Sequence, residues 1–208
     1  MAIAGGAGGG GGSGRTSFAG FFTGGGGGGA GGNAYATVAV IPGSTISFSI
    51  GGGGAGGTFR DGVYSSGSNG SAGATTYITY SGSTVAQAST GAGGAVSPNA
   101  SGGSAGGVNT GTALLSANVG GTAVTDATTG GVGPAGYAIS TTIGATTILS
   151  YGSAGATGAQ NSGQYGTSGT IYGAGGSGGG CSQSDVYNYN NIFSTAGTTG
   201  AVFIWWGY

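Results

Sequence analysis

The chain has 208 residues, of which 59 are glycine, and only five are charged: Arg15, Arg60, Asp61, Asp126 and Asp185. Two basic residues cannot neutralise a phosphate backbone, so the composition excludes nucleic acid as a main partner. The chain also has no histidine and a single cysteine. It therefore lacks the usual general base near neutral pH, an internal disulfide and a thiolate metal site.

The composition predicts a folded chain. Disordered segments are usually rich in charge and poor in aromatic and β-branched residues, whereas this chain is 2% charged and 10% aromatic. Glycine interrupts nearly every window, which disfavours helices. We predict a single all-β domain over 1–208, built from short antiparallel strands with few or no helices.

In chain order, the predicted elements alternate between glycine runs and short apolar stretches. They are a glycine-rich lead (5–33), a hairpin (34–50), variable Ser/Thr/Gly loops (58–172), a glycine run (173–180) and a closing strand (201–206). In the hairpin, strands 34–41 and 44–50 flank a tight turn at Pro42-Gly43. Further strand candidates are 74–80, 137–143 and 145–151.

The glycine runs have two interpretations. They recur at 5–12, 24–32, 51–57, 91–94, 101–107 and 173–180. Flexible linker is one interpretation. The other, which we favour because strands punctuate the runs, is polyglycine II, an extended left-handed helix with three residues per turn. Its backbone groups point outward, so neighbouring glycine segments can hydrogen-bond to one another, as buried backbone must.

Tyrosine and asparagine provide the candidate binding residues. Mixtures of Tyr, Asn, Ser and Gly are typical of recognition loops, because the ring gives contact area at low entropy cost. The candidates are Tyr165, Tyr172, Tyr187, Asn188, Tyr189 and Asn190. An equally weighted alternative is that these tyrosines cover the core with their hydroxyls in water.

The sequence gives little support for catalysis. The three aspartates are far apart in the chain, and the GxGxxG match at 131–136 contains Pro134 and no following helix pattern. Cys181 has no basic neighbour that would lower its pKa, so a buried or incidental thiol is the favoured interpretation. We expect no enzymatic activity, no cofactor and no metal.

The order of these features resembles the glycine-rich domains of bacteriophage tail and fibre proteins. The resemblance lies in the hairpin motif 34–54 with Pro42-Gly43 at its turn, in the glycine runs, and in the apolar end 201–206. The chain is also similar to the adhesins at the tips of T-even-type long tail fibres. In those proteins, polyglycine II segments form a core and the loops between them contact the host.

The resemblance implies a non-enzymatic virion protein that binds a host receptor, either a glycan or an outer-membrane protein, through uncharged loops. It implies other virion proteins as partners, with a homotrimer or a single-copy tip as the arrangement. Met1–Ala4 lacks an export signal, so we expect assembly in the host cytoplasm and exposure on the particle. The alternatives are a decoration protein without a receptor role and a glycine-rich ice-binding protein.

Overall fold

A computed structural model describes residues 2–5, 15–16, 22–23, 25–58, 68–95, 101–112, 142–143, 146–147, 172–176, 178 and 194–206. These residues contain eleven strands and no helix, which confirms the all-β prediction for this part of the chain. The larger sheet consists of β5 (Ile46–Ser49), β6 (Thr76–Tyr80), β7 (Ser83–Ala88) and β8 (Val108–Thr110). The second sheet consists of β11 (Ala201–Ile204), β1 (Ala2–Gly5) and β4 (Asn33–Ala36).

Two-residue strands form two further pairs. β2 (Arg15–Thr16) pairs with β3 (Phe22–Thr23), and β9 (Thr142–Ile143) pairs with β10 (Thr146–Thr147). The second pair falls inside the predicted strands 137–143 and 145–151, whose other residues lie outside the described part of the chain.

The two larger sheets pack face to face over a core of small side chains. β4 lies against β7, β1 lies against β6 and β7, and β11 lies against β6. The buried cluster is Ala34, Ile78, Ala86 and Ala88, with partly buried aliphatic residues packed around it. Three of the four are alanines. Because these side chains are small, the two sheets can approach closely and the core stays packed with few large side chains.

The predicted hairpin 34–50 is wrong in its pairing. The turn itself forms, since the Ser44 N–H donates to the Ile41 carbonyl (3.0 Å) and Gly43 has a φ of 88°. However, β4 pairs with β1, and β5 pairs with β6. A Pro-Gly turn with positive φ only at its third residue is of type II, and its twist splays the flanking strands. The segment 37–45 therefore connects the two sheets.

Seven glycine-rich segments continue the strands away from the sheets. We number them in chain order: segment 1 (25–32), segment 2 (51–58), segment 3 (68–74), segment 4 (89–95), segment 5 (101–107), segment 6 (172–176) and segment 7 (194–200). All except segment 6 run directly into or out of a strand of the two larger sheets. The sheets therefore occupy one end of the described structure and the far ends of the segments the other.

Backbone hydrogen bonds join segment 1 to three neighbours with a period of three residues. Donors of segment 1 at 26, 29 and 32 bind carbonyls of segment 4 at 95, 92 and 89, and donors at 28 and 31 bind segment 6 at 176 and 173. Carbonyls of segment 1 at 27 and 30 accept from segment 5 at 103 and 106. Segments 4 and 6 therefore run antiparallel to segment 1, and segment 5 runs parallel to it.

The outer segments are joined in the same way. Segment 3 donates to segment 2, as in the bonds from the Ser71 N–H to Ala55 and from the Ala74 N–H to Gly52. Segment 7 donates to segment 2 through Gly197 and Gly200. Because every described segment hydrogen-bonds to at least two others, these glycine runs form a packed bundle.

The predicted loop range 58–172 needs correction in its described part. It contains β6, which confirms the predicted strand 74–80, and it contains β7 and β8, which were not predicted from the sequence. The strand Ser83–Ala88 was missed because its residues, Ser-Thr-Val-Ala-Gln-Ala, are mostly small and polar and alternate only weakly.

Candidate functional site

The end of the bundle remote from the sheets is formed by the described ends of the glycine segments. Segments 2 and 4 run away from the sheets and segments 3 and 5 run back toward them, so residues 58, 68, 95 and 101 lie at this far end. Segment 6 also runs away from the sheets, because 173 bonds to 31 and 176 bonds to 28. The end of segment 6 and Ser194, where segment 7 begins, therefore lie there too.

The predicted binding residues are distributed unevenly with respect to this far end. Tyr187, Asn188, Tyr189 and Asn190 belong to the connection 179–193, and they lie outside the described residues, as does Tyr165. Tyr172 is described, is 56% exposed, and directly precedes Gly173 at the sheet-side start of segment 6. Tyr172 is therefore separated from the far end by the length of a glycine segment.

An apolar cleft of about 730 Å³ lies at the sheet end. The connecting segment 37–45 forms one wall, and strand residues from both larger sheets form the others. The aliphatic and aromatic lining includes Val38, Val40, Ile41, Ile46, Ile204 and Trp206. None of the lining residues is charged, so the cleft suits an uncharged apolar group.

Tyr80 fixes the wall of this cleft. Its hydroxyl accepts a hydrogen bond from the Ile41 N–H (2.9 Å), which ties the Pro42-Gly43 turn to strand β6. Hydrogen bonds from the Ser44 side chain and from the Ile41 backbone lower the pKa of Tyr80 below its usual value, because they favour the phenolate. The nine residues from Thr37 to Thr45 are thus held on the sheet, even though they form no strand themselves.

The described residues lack most of the side chains that commonly act as general acids or bases or bind metal ions. They contain no aspartate, glutamate, histidine, lysine or cysteine. No group of metal-ligating side chains occurs among them. In the part of the chain that the structure describes, no helix is long and apolar enough to cross a membrane. The chemistry available here is hydrogen bonding by backbone and hydroxyl groups together with apolar contact.

Sequence reasoning missed the apolar cleft. Its walls come from 36–46, from β6 and from 204–206, which are far apart in the sequence. The available signal was the run Val38–Ile41, which is more apolar than a connecting segment between two strands usually is.

Comparison with known proteins identifies no relative. A scan against protein-family models finds no match, and a search of curated protein sequences finds none either.

Proposed function

We propose that the protein is a bacteriophage structural protein that acts as a host-recognition adhesin at the tip of a fibre or particle. The observation that carries this proposal is that the described residues flanking 59–67, 96–100 and 179–193 all lie at one end of the glycine bundle. Loops on a rigid frame can vary in sequence without disturbing that frame, which is the arrangement that recognition proteins use. The resemblance of the chain to phage adhesins points the same way.

We further infer that the seven glycine segments are polyglycine II helices. The three-residue period of the hydrogen bonds supports this, because it equals the number of residues per turn of that helix. Close approach supports it as well. A Cβ atom built on Gly29, Gly32 or Gly94 would overlap a backbone carbonyl of the neighbouring segment. Only glycine permits such spacing at these positions.

The proposal assigns recognition to the connection 179–193, with Tyr187, Asn188, Tyr189 and Asn190 as contact residues. Tyrosine rings stack on sugars and on apolar protein surfaces, and asparagine amides pair with hydroxyl or backbone groups. The partner is a glycan or an outer-membrane protein of the host, and the protein is exposed on the virion. Tyr172 does not belong to this surface, because it lies at the sheet end.

Binding of the labelled full-length protein to a panel of bacterial cells and arrayed glycans tests the proposal. We expect saturable binding, and we expect the double substitution Tyr187→Ala/Tyr189→Ala to weaken it at least tenfold while the melting temperature stays unchanged. Tyr172→Ala is the matched control and should bind like the unmodified protein. Loss of binding in the Tyr172→Ala protein alone would move the surface to the sheet end and contradict the assignment.

The same preparation separates the two alternatives. A decoration protein without a receptor role would show no saturable binding to any cell or glycan. An ice-binding protein would produce thermal hysteresis, which an adhesin should not. Either result would replace the adhesin proposal.

A further inference from the structure

Strand β5 extends beyond the sheet that covers the rest of the core. The larger sheet has the order β5-β6-β7-β8, and the second sheet lies against β6, β7 and β8 through β11, β1 and β4. On the side of β5, the covering sheet ends with β11, which contacts β6. One strand of the larger sheet is therefore left without a covering strand in the described structure.

The uncovered face of β5 is apolar. Phe48 pairs with Ile78 of the core, so Phe48 lies on the core-facing side, as do its alternate neighbours Ile46 and Ile50. These three side chains are exposed by 56%, 40% and 48%. Ser47 and Ser49 lie on the other face, so the strand has the alternation of a half-buried strand, but no strand of the described residues packs over its apolar face.

This face continues into the apolar cleft, and together they form a patch that we call the β5 overhang. Its residues are Val40, Ile41, Ile46, Phe48, Ile50 and Trp206. With about 200 Å² for a large side chain, their exposed fractions leave on the order of 600–700 Å² of apolar surface. That area exceeds the largest patch of most monomers, at roughly 300–600 Å². It approaches the roughly 800 Å² that each partner contributes to a standard interface.

We propose that the β5 overhang is the dimer interface of this protein and that a second copy of the chain covers it. A two-fold axis parallel to the sheets would place β5 of each copy over the apolar face of β5 of the other. Each β5 would then also lie beside the open edge of β11 of its partner. In such a dimer, β5 of each copy covers the apolar face that the other copy leaves exposed, so both layers are complete.

Three features favour a second copy over an unrelated partner. The surface is self-complementary, since apolar side chains meet apolar side chains across the axis. Like-charge repulsion is minimal because the overhang has no charged residue and the whole chain has a net charge of -1. The exposed edge of β5 also lacks the features that usually prevent a strand of another chain from pairing with it, since 45–50 contains no charged residue and no proline. The inference concerns the sheet end and does not depend on the proposed adhesin function.

Sedimentation equilibrium of the purified full-length protein between about 1 and 100 µM tests the proposal, because typical interfaces of this area bind within or below that range. We expect the mass of a dimer. We expect Phe48→Asp to raise the dissociation constant of the dimer at least tenfold, because it places a charge in the apolar interface. The matched control is Ser47→Asp, which adds the same charge to the opposite face of the same strand and should leave the dimer intact. A monomer or trimer mass for the unmodified protein would overturn the proposal.

Cross-linking provides a second measurement that does not rely on the charged variant. Phe48 is the central residue of 46–50, so it would lie near the two-fold axis of the proposed dimer interface. Phe48→Cys in a Cys181→Ser background should form a disulfide-linked dimer on mild oxidation. Ser47→Cys in the same background should not. Equal cross-linking of both variants, or of neither, would contradict this geometry.

Discussion

At the residue scale, adjacent glycines of the same segment differ in what a methyl group would meet. A Cβ atom on Gly51 would overlap the carbonyl of Ala74, and the Gly51 N–H donates to the buried hydroxyl of Thr76 (3.0 Å). A Cβ atom on Gly52 would have no neighbour within 4 Å. The two positions therefore form a matched pair on one backbone.

We predict that Gly51→Ala destabilises the protein by at least about 3 kcal/mol, the upper end of the cost of overpacking. For a chain of this size, this corresponds to a fall in melting temperature of roughly 6–12 °C. We expect Gly52→Ala to be neutral or to stabilise by up to about 1 kcal/mol, because alanine lowers the entropy of the unfolded chain. Thermal unfolding followed by circular dichroism measures both.

Equal melting temperatures for the two variants would mean that segment 2 is not packed against segment 3. The sequence alone cannot distinguish these two glycines, since both lie inside the run 51–57. Composition and spacing predicted that the runs pack. Which glycine faces a neighbour depends on the phase of the three-residue period, and the sequence has no local signal for that phase.

At the element scale, the tight turns at Pro42-Gly43 and Ser81-Gly82 differ in turn type. Pro42-Gly43 connects two sheets, whereas Ser81-Gly82 joins β6 to β7 in a true hairpin. Both central residues of the second turn have positive φ, at 47° and 82°, as a type I′ turn requires. Serine adopts this conformation less readily than asparagine or glycine.

We predict that Ser81→Asn raises the free energy of unfolding by up to about 1 kcal/mol, because asparagine tolerates left-handed backbone. Gly82→Ala should lower it by about 1–2 kcal/mol, the cost of a Cβ atom in that conformation. Urea unfolding of the two variants beside the unmodified protein gives both values. A stabilising Gly82→Ala would show that this turn does not have the described geometry.

These turns also show how much of the architecture the sequence could predict. The β-branched stretches located four of the main strands, and the Pro-Gly turn forms as expected. The predicted pairing is wrong, because the twist of a type II Pro-Gly turn opposes a hairpin. Ala2–Gly5, the central strand of the second sheet, is too short and too rich in alanine and glycine to carry a signal of its own. Its position depends on pairing with both β4 and β11.

The candidate site was less accessible to prediction. Tyrosine and asparagine composition selected residues of the connection 179–193, but it also selected Tyr172, which lies at the sheet end of the bundle. The path of each segment through the bundle decides which connections share an end. That path follows from long-range hydrogen bonds, for which the sequence contains no local pattern.

At the scale of the whole molecule, the chain has almost no titrating groups near neutral pH. It has no histidine or lysine and only three aspartates. The lowered pKa of Tyr80 means that its ionisation favours the folded state. That contribution is complete above the unfolded-state value of about 10 and is lost as the pH falls through the lower folded-state value. Tyr80 therefore adds this stability only on the alkaline side of its folded-state pKa.

We predict that cell binding and melting temperature both change little between pH 5.5 and 8.5 and between 50 and 500 mM NaCl. Attraction between charges would weaken over this salt range, whereas stacking and hydrogen bonding to neutral groups would not. Titrations of the labelled protein on cells at each condition provide the measurement. A tenfold loss of affinity at high salt would indicate a charge-driven contact and argue against uncharged loops.

The mixed chain direction in the bundle has a consequence for how such proteins diversify. Segment 1 accepts an antiparallel neighbour on two sides and a parallel neighbour on a third, with hydrogen bonds of the same length, 2.8–2.9 Å. A position in the bundle that accepts a segment of either chain direction does not restrict the order in which the segments follow one another in the sequence. Recombination can therefore lengthen, shorten or swap the crossovers between positions, and the scaffold beneath them is inherited intact.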